Sequence, residues 1–263
     1  MSEYLMPASC ALLVWWLSTA LVLYLDGLPR RTFPWSLAIA SIVAIIALAA
    51  LYLSAQATSV VAAYVAFASA IALWGWHELT FLTGLITGPR KTPSVAPPSR
   101  WQHAREATQT LIYHEVAVAL TVVLAFALTY GQPNHFGTWT IAALWLMRLS
   151  SKFNLFLGAR NLGEELLPAH LQYLKTFMRR RAMNPLFPFS ILLGAAATSM
   201  AAWAALNPAA SAHTRAGYSL LATILALGVL EHVLLMLPIS STALWRWGLR
   251  SHARPPTPVS GVS

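Results

Sequence analysis

Acidic residues, lysine and cysteine are all scarce in this chain of 263 residues, which has eight Asp plus Glu, three Lys and a single Cys. A soluble domain of this length covers its surface with Lys, Glu and Asp. With 10% charged residues against 57% hydrophobic ones, this chain cannot do so. The lone Cys10 excludes an internal disulfide and a thiolate metal cluster. No basic segment or apolar h-region precedes it, so Pro7-Ala8-Ser9-Cys10 matches a lipoprotein cleavage box only in part, and the N-terminus is expected to be a first membrane span. The shortage of acid leaves a net charge of +9, carried mainly by arginine. In so apolar a chain this points to loops facing an anionic leaflet, not to nucleic acid.

What is abundant is long apolar runs. A bilayer crossing needs about 20 such residues, and seven runs qualify, near 8–25, 36–54, 59–86, 110–130, 137–157, 187–206 and 217–239. The expected fold is all-α, a seven-span bundle forming one integral-membrane domain over residues 1–263. The third run is overlong, as for a tilted helix or one that continues past the lipid. Fourteen of the seventeen basic residues fall in alternate loops and the tail, Arg215 lies on the opposite side, and Arg148 and Lys152 sit inside the fifth span. The positive-inside rule then places the N-terminus outside and the C-terminus in the cytoplasm.

Residues 87–109 hold Pro93, Pro97 and Pro98 and are expected to run extended. Residues 158–184 space Leu162, Leu166, Leu167, Leu171, Leu174 and Met178 at helical intervals and end in Arg179-Arg180-Arg181, which predicts an interfacial helix between spans five and six. Pro185 and Pro188 suit the first turn of span six, and Gly194, Thr198 and Ala202 give it a stripe for close packing. Trp35, Trp101, Tyr130, Trp139, Trp245 and Trp247 are expected to anchor span ends at the interface.

Five of the eight acids, Glu78, Glu115, Glu164, Glu165 and Glu231, accompany four of the eight histidines, His77, His114, His170 and His232. With the expected orientation all nine lie toward the cytoplasmic side. A charge near the bilayer centre costs about 2.5–3.5 kcal/mol, so such residues pair or serve a function. Imidazole with several carboxylates suits two hard metals, iron or manganese, and a metal site built from these nine residues is the leading reading. The Glu-x-x-His spacing usual in two-metal bundles is absent; Glu165 and His170 are the nearest equivalent. Three other readings stay open. The acids neutralise Arg148 and Lys152, or the histidines bind haem or bacteriochlorophyll beside Trp74, Trp76 and Tyr113, or the set relays protons, although no polar path continues outward. Asn154 is placed to orient a ligand or to cap a helix end. His103, His135, His213 and His252 fall in loops or the tail and read as ordinary solvated residues.

At these positions the sequence resembles a known family. Arg148 to Gly158, followed by Asn161-Leu-Gly-Glu164-Glu165-Leu-Leu-Pro168-Ala-His170-Leu-Gln-Tyr173-Leu174, together with Trp76-His77-Glu78, Gly88-Pro89-Arg90 and Tyr113-His114-Glu115, is similar to the PuhE family, photosynthetic complex assembly protein 2 of purple and related phototrophic bacteria. The likeness covers roughly residues 74–178, with Glu231-His232 beyond it. It implies a bacterial inner (intracytoplasmic) membrane, association with reaction-centre genes, and influence on photocomplex assembly and bacteriochlorophyll supply. The implied partners are reaction-centre or light-harvesting subunits or pigment-synthesis enzymes, besides the lipid bilayer. Two functions are expected on this basis: a metal-dependent oxidoreductase acting on a lipid-soluble or tetrapyrrole substrate, or a non-catalytic factor that binds pigment or a reaction-centre subunit.

Overall fold

The computed structural model describes residues 2–95, 99–238 and 248–251. Its long elements are α1 (Ser2–Asp26), α2 (Phe33–Ala55), α3 (Val60–Leu82), α5 (Ile112–Thr129), α6 (Phe136–Leu157), α7 (Phe187–Leu206) and α8 (Ala212–Met236), with a short α4 (Arg100–Gln109) between α3 and α5. No strand occurs among the described residues; a single parallel bridge joins Ala159 to Arg180. Six helices, all the long ones except α6, are long and apolar enough to cross a membrane. Their outward faces carry unpaired apolar side chains, such as Ile39, Ile42 and Ile46 on α2 and Phe189, Leu193 and Trp203 on α7. The chain is a multi-pass membrane protein.

The helix starts are marked locally. Ser59 caps α3 by accepting the Ala62 N–H at 3.1 Å, and Ser211 caps α8 by accepting that of Thr214 at 3.1 Å. Pro188 occupies the first turn of α7, where no N–H is missed. The third expected span is cut short, because α3 ends at Leu82 and Gly84 turns the chain back with φ +79°. The segment expected to run extended after it becomes helical from Arg100, where Ser99 accepts the Gln102 N–H. Residues 96–98 of that segment, and Trp245, Trp247 and His252, lie outside the described residues.

The largest helix contacts pair α7 with α8, α2 with α3, α1 with α8 and α3 with α6. Gly194 of the small-residue stripe is buried in the first of these, and a Cβ there would lie 2.8 Å from a Val229 methyl. Gly137 does the same for the α3–α6 crossing, since a Cβ there would meet the Ala66 carbonyl oxygen at 2.8 Å. Trp35, Trp101 and Tyr130 are strongly exposed near helix ends.

The basic loops gather at one end of the bundle. There Arg160 N–H donates to the Leu235 carbonyl at 3.0 Å, Ala159 N–H to Arg179 at 2.9 Å, and Lys91 Nζ to Gly84 at 3.3 Å. At the opposite end Asn134 Nδ2 donates to the Ser54 and Ala62 carbonyls at 2.9 and 3.1 Å. His213 also belongs to that opposite end. It was expected to be solvated but is 5% exposed, donates from Nδ1 to the Ser59 carbonyl at 2.9 Å and packs against Phe136.

The expected interfacial α-helix takes a different form. Residues 158–186 wrap across the basic end as turns, with 3-10 helices at Glu164–Leu166 and Ala169–Phe177. Leu171, Leu174 and Phe177 are the buried residues of the longer one. A spacing of three matches the three-residue turn of a 3-10 helix, where i and i+3 eclipse. Gly163 with φ +60° and Pro168 break any longer α-helical run.

Candidate functional site

Arg148, Lys152, Glu78, Glu115 and Glu231 lie toward the basic end, while Arg215 on α8 pairs with Glu3 on α1 at the opposite end at 3.2 Å. Arg148 on α6 donates to Glu78 on α3 at 3.4 Å, and Lys152, one turn further along α6, donates to Glu115 on α5 at 2.6 Å. Glu115 uses both oxygens, because Trp145 Nε1 donates to the other at 3.0 Å. Lys152 also stands 5.3 Å from the centre of the Phe81 ring. Glu231 on α8 lies within electrostatic range of Arg148 and Glu78. The reading of the acids as counter-ions to Arg148 and Lys152 therefore describes the contacts of Glu78 and Glu115.

Beside these pairs lies a chamber of about 340 Å³. Its walls come from α1 (Trp15, Ser18, Val22), α3 (Trp74, Gly75, Glu78, Phe81), α6 (Met147, Arg148, Lys152, Phe156) and α8 (Ile224, Gly228, Glu231), and residues 162–178 close the basic end with Leu166, Leu174 and Phe177. Arg148 keeps 41% of its side-chain surface uncovered although it is deep in the bundle, because it borders this space. Its Nε is buried and has no hydrogen-bond partner. An apolar hollow with a few charged groups on one wall is the usual construction of a small-molecule site.

The histidines do not meet there; none lines the chamber. His77 and His114 face each other with ring centres 6.2 Å apart, and His114 also packs on Phe81. His77 Nε2 lies 2.8 Å from the Thr121 hydroxyl. Thr121 spends its own proton on the Ala117 carbonyl at 3.0 Å, so it must accept from His77. His232 Nδ1 donates to the Gly228 carbonyl at 2.8 Å, and its Nε2 lies 2.9 Å from the Ser150 hydroxyl. Ser150 is joined through Ser190 to Asn154, which is fully buried. Asn154 ties α6 to the chain ahead of α7, since its Oδ1 accepts from Asn184 Nδ2 at 3.0 Å.

His170 and the acids of the 158–184 segment are apart from this group. His170 Nε2 donates to the Leu82 carbonyl at 2.8 Å, satisfying one of the acceptors left open at the end of α3. Burial lowers the His170 pKa first, and the Leu82 hydrogen bond opposes this. Glu164 pairs with Arg180 at the surface, and Glu165 is exposed. His103 is sandwiched between Phe156 and Phe177 at 5.4 and 5.5 Å, close above the chamber.

Among the described residues no group of three or more His, Cys, Asp or Glu side chains could hold a metal ion. Glu78 and Glu115 are each paired with one cation, and His170 and His232 serve separate hydrogen bonds. Sequence reasoning found the charged residues from their cost in an apolar span. It missed the α1 wall and the 162–178 cover, which carry ordinary apolar residues with no distinguishing signal.

The fold and site define a helical multi-pass membrane protein with a partly open, largely apolar chamber edged by paired charges. The family model described as "Protein of unknown function (DUF3623)" matches residues 1–256, and the chain belongs to that family. An "Uncharacterized 30.4 kDa protein in puhA 5′ region" of Rhodobacter capsulatus is 38% identical over 210 residues, covering 79% of this chain and 75% of that protein. No solved structure matches the chain.

Proposed function

We infer that this protein is a non-catalytic binding factor of the bacterial inner membrane, serving photosynthetic complex assembly or bacteriochlorophyll supply. It holds an amphipathic, lipid-soluble ligand of tetrapyrrole type in its internal chamber. The observation that carries this reading is the chamber itself: about 340 Å³, lined by Trp15, Trp74, Phe81 and Phe156, with Arg148 and Lys152 on one wall. Its volume lies at the low end of the range of about 300–1,000 Å³ typical of small-molecule sites, so a porphyrin-sized body would extend through its open side. The aromatic rings offer stacking faces for a flat apolar body, and the unpartnered Nε of Arg148 suits a carbonyl on its edge. The photosynthetic role is supported by the relative encoded in the puhA 5′ region and by the resemblance carried by residues 74–178. In the membrane α6 makes a seventh span, shielded by its neighbours, and the basic end faces the cytoplasm by the positive-inside rule.

The test is purification in a mild detergent from a pigment-producing host, followed by an absorption spectrum, mass spectrometry of an organic extract and elemental analysis. A tetrapyrrole close to one per chain is the expected result. Gly75→Leu should abolish it, because a Cβ at Gly75 meets nothing nearer than Val22 at 4.0 Å and the larger side chain projects into free chamber volume. Two iron or manganese atoms per chain and no pigment would instead favour a metal-dependent oxidoreductase.

A further inference from the structure

A second pocket, of about 280 Å³, lies outside the chamber at the basic end. Three separate segments build it: Arg30 and Phe33 where α1 gives way to α2, Thr83 to Lys91 after α3, and His170 to Tyr173 on the 3-10 helix. Its character is opposite to that of the chamber, with two cations, an imidazole and three hydroxyl groups in the lining.

Two of those hydroxyls are short of partners. Thr87 is 2% exposed, and both its Oγ1 and the Tyr173 hydroxyl oxygen are buried without a well-formed hydrogen bond. The two lie close enough to interact, and Thr87 counters part of the rise that burial imposes on the Tyr173 pKa. Even a bond between them would use only one of their two O–H protons, so at least one donor is left over in a buried place. A buried donor without an acceptor costs about 1–3 kcal/mol, which a bound acceptor would remove.

The charges favour an anionic acceptor. Arg30 makes no ion pair among the described residues, and Lys91 meets only the Gly84 carbonyl at 3.3 Å. Both act on His170: after burial, Arg30 and then Lys91 push its pKa down, against Leu82 and Asp26, which push it up. Among the described residues Asp26 is the acid that acts on His170, and it is itself buried. Donors thus approach from several directions around one small space, as a tetrahedral oxyanion requires.

We propose that this pocket binds a phosphate group, with Arg30 and Lys91 as its cations and the Thr87 and Tyr173 hydroxyls as its buried donors. The volume exceeds that of a bare phosphate, and Phe33 and Leu171 give the remainder an apolar floor. A phosphate on a lipid headgroup and one on a soluble ester present the same chemistry to these groups.

The experiment uses the full-length chain in non-ionic detergent, titrated separately with phosphatidylglycerol in mixed micelles and with inorganic phosphate. One-to-one adducts are counted by native mass spectrometry and checked by the shift of the thermal midpoint. Saturation by phosphatidylglycerol assigns a lipid headgroup, and saturation by inorganic phosphate assigns a soluble ester. Joint replacement Arg30→Gln with Lys91→Gln should weaken binding by about tenfold or more. Tyr173→Phe, which leaves size and charge unchanged, should weaken it by roughly three- to tenfold. No adduct with either probe, or binding undiminished in Tyr173→Phe and in the double variant, overturns the proposal.

Discussion

Glu115 and Lys152 are 37 residues apart in the chain and 2.6 Å apart in the structure. Separately, each would be an expensive charge in an apolar bundle; together they satisfy one another, with Trp145 completing the carboxylate. Glu115→Gln leaves Lys152 without a counter-charge. It should cost about 3 kcal/mol, the low end for breaking a buried pair, because the amide can still accept a hydrogen bond. Adding Lys152→Gln should restore most of the loss, read as the thermal midpoint in detergent. A metal-ligand role for Glu115 predicts loss of bound metal and no such rescue. His170 gives a second prediction at this scale, with pH as the variable. Its folded pKa is held below the ordinary 6.5, first by burial. The folded state therefore binds fewer protons than the unfolded one as pH falls below about 6.5, and stability contributed by neutral His170 drains away toward its folded pKa. Wild type should lose stability over that interval, and His170→Asn should lose less over the same interval.

Among the elements, α6 holds the site together. One stretch of it supplies Arg148 and Lys152 to the chamber and Ser150 and Asn154 to the polar ties with α8 and the start of α7. Its opposite end approaches α3 so closely that Gly137→Ala would drive a methyl against the Ala66 carbonyl and Leu51. That substitution should cost about 1–3 kcal/mol and lower the thermal midpoint, whereas Gly75→Ala, whose Cβ would meet nothing nearer than Val22 at 4.0 Å, should cost less. The helices themselves were legible in the sequence, since uninterrupted apolar length says nearly everything about a membrane helix. The 158–186 cover was not. Its leucines fit a period of 3.6 as well as one of 3, and only the breaks at Gly163 and Pro168, and the burial of Leu171, Leu174 and Phe177, separate the two. The costly acids were equally legible, but their partners were not, because Glu78 finds Arg148 across 70 residues and no local spacing encodes that.

At the scale of the whole molecule, the bundle has a charged, loop-covered end and an apolar remainder. The chamber is closed at the first by Leu166, Leu174 and Phe177 and reaches Trp15 and Trp74 on the walls of α1 and α3. In a Cys10→Ala background, a cysteine placed at Lys175 should react with a membrane-impermeant maleimide only after the inner membrane is opened, and one at Ala210 in intact spheroplasts. The reverse pattern would invert the proposed topology. Trp15 and Trp74 both line the chamber and would report its occupancy. The most direct measurement is therefore titration of the detergent-purified chain with a tetrapyrrole carboxylic acid such as protoporphyrin IX, following tryptophan fluorescence. Saturable one-to-one quenching in the wild type, lost in Gly75→Leu at unchanged thermal stability, is the predicted result. Quenching that does not saturate, or that persists unchanged in a folded Gly75→Leu chain, would contradict a ligand-binding chamber.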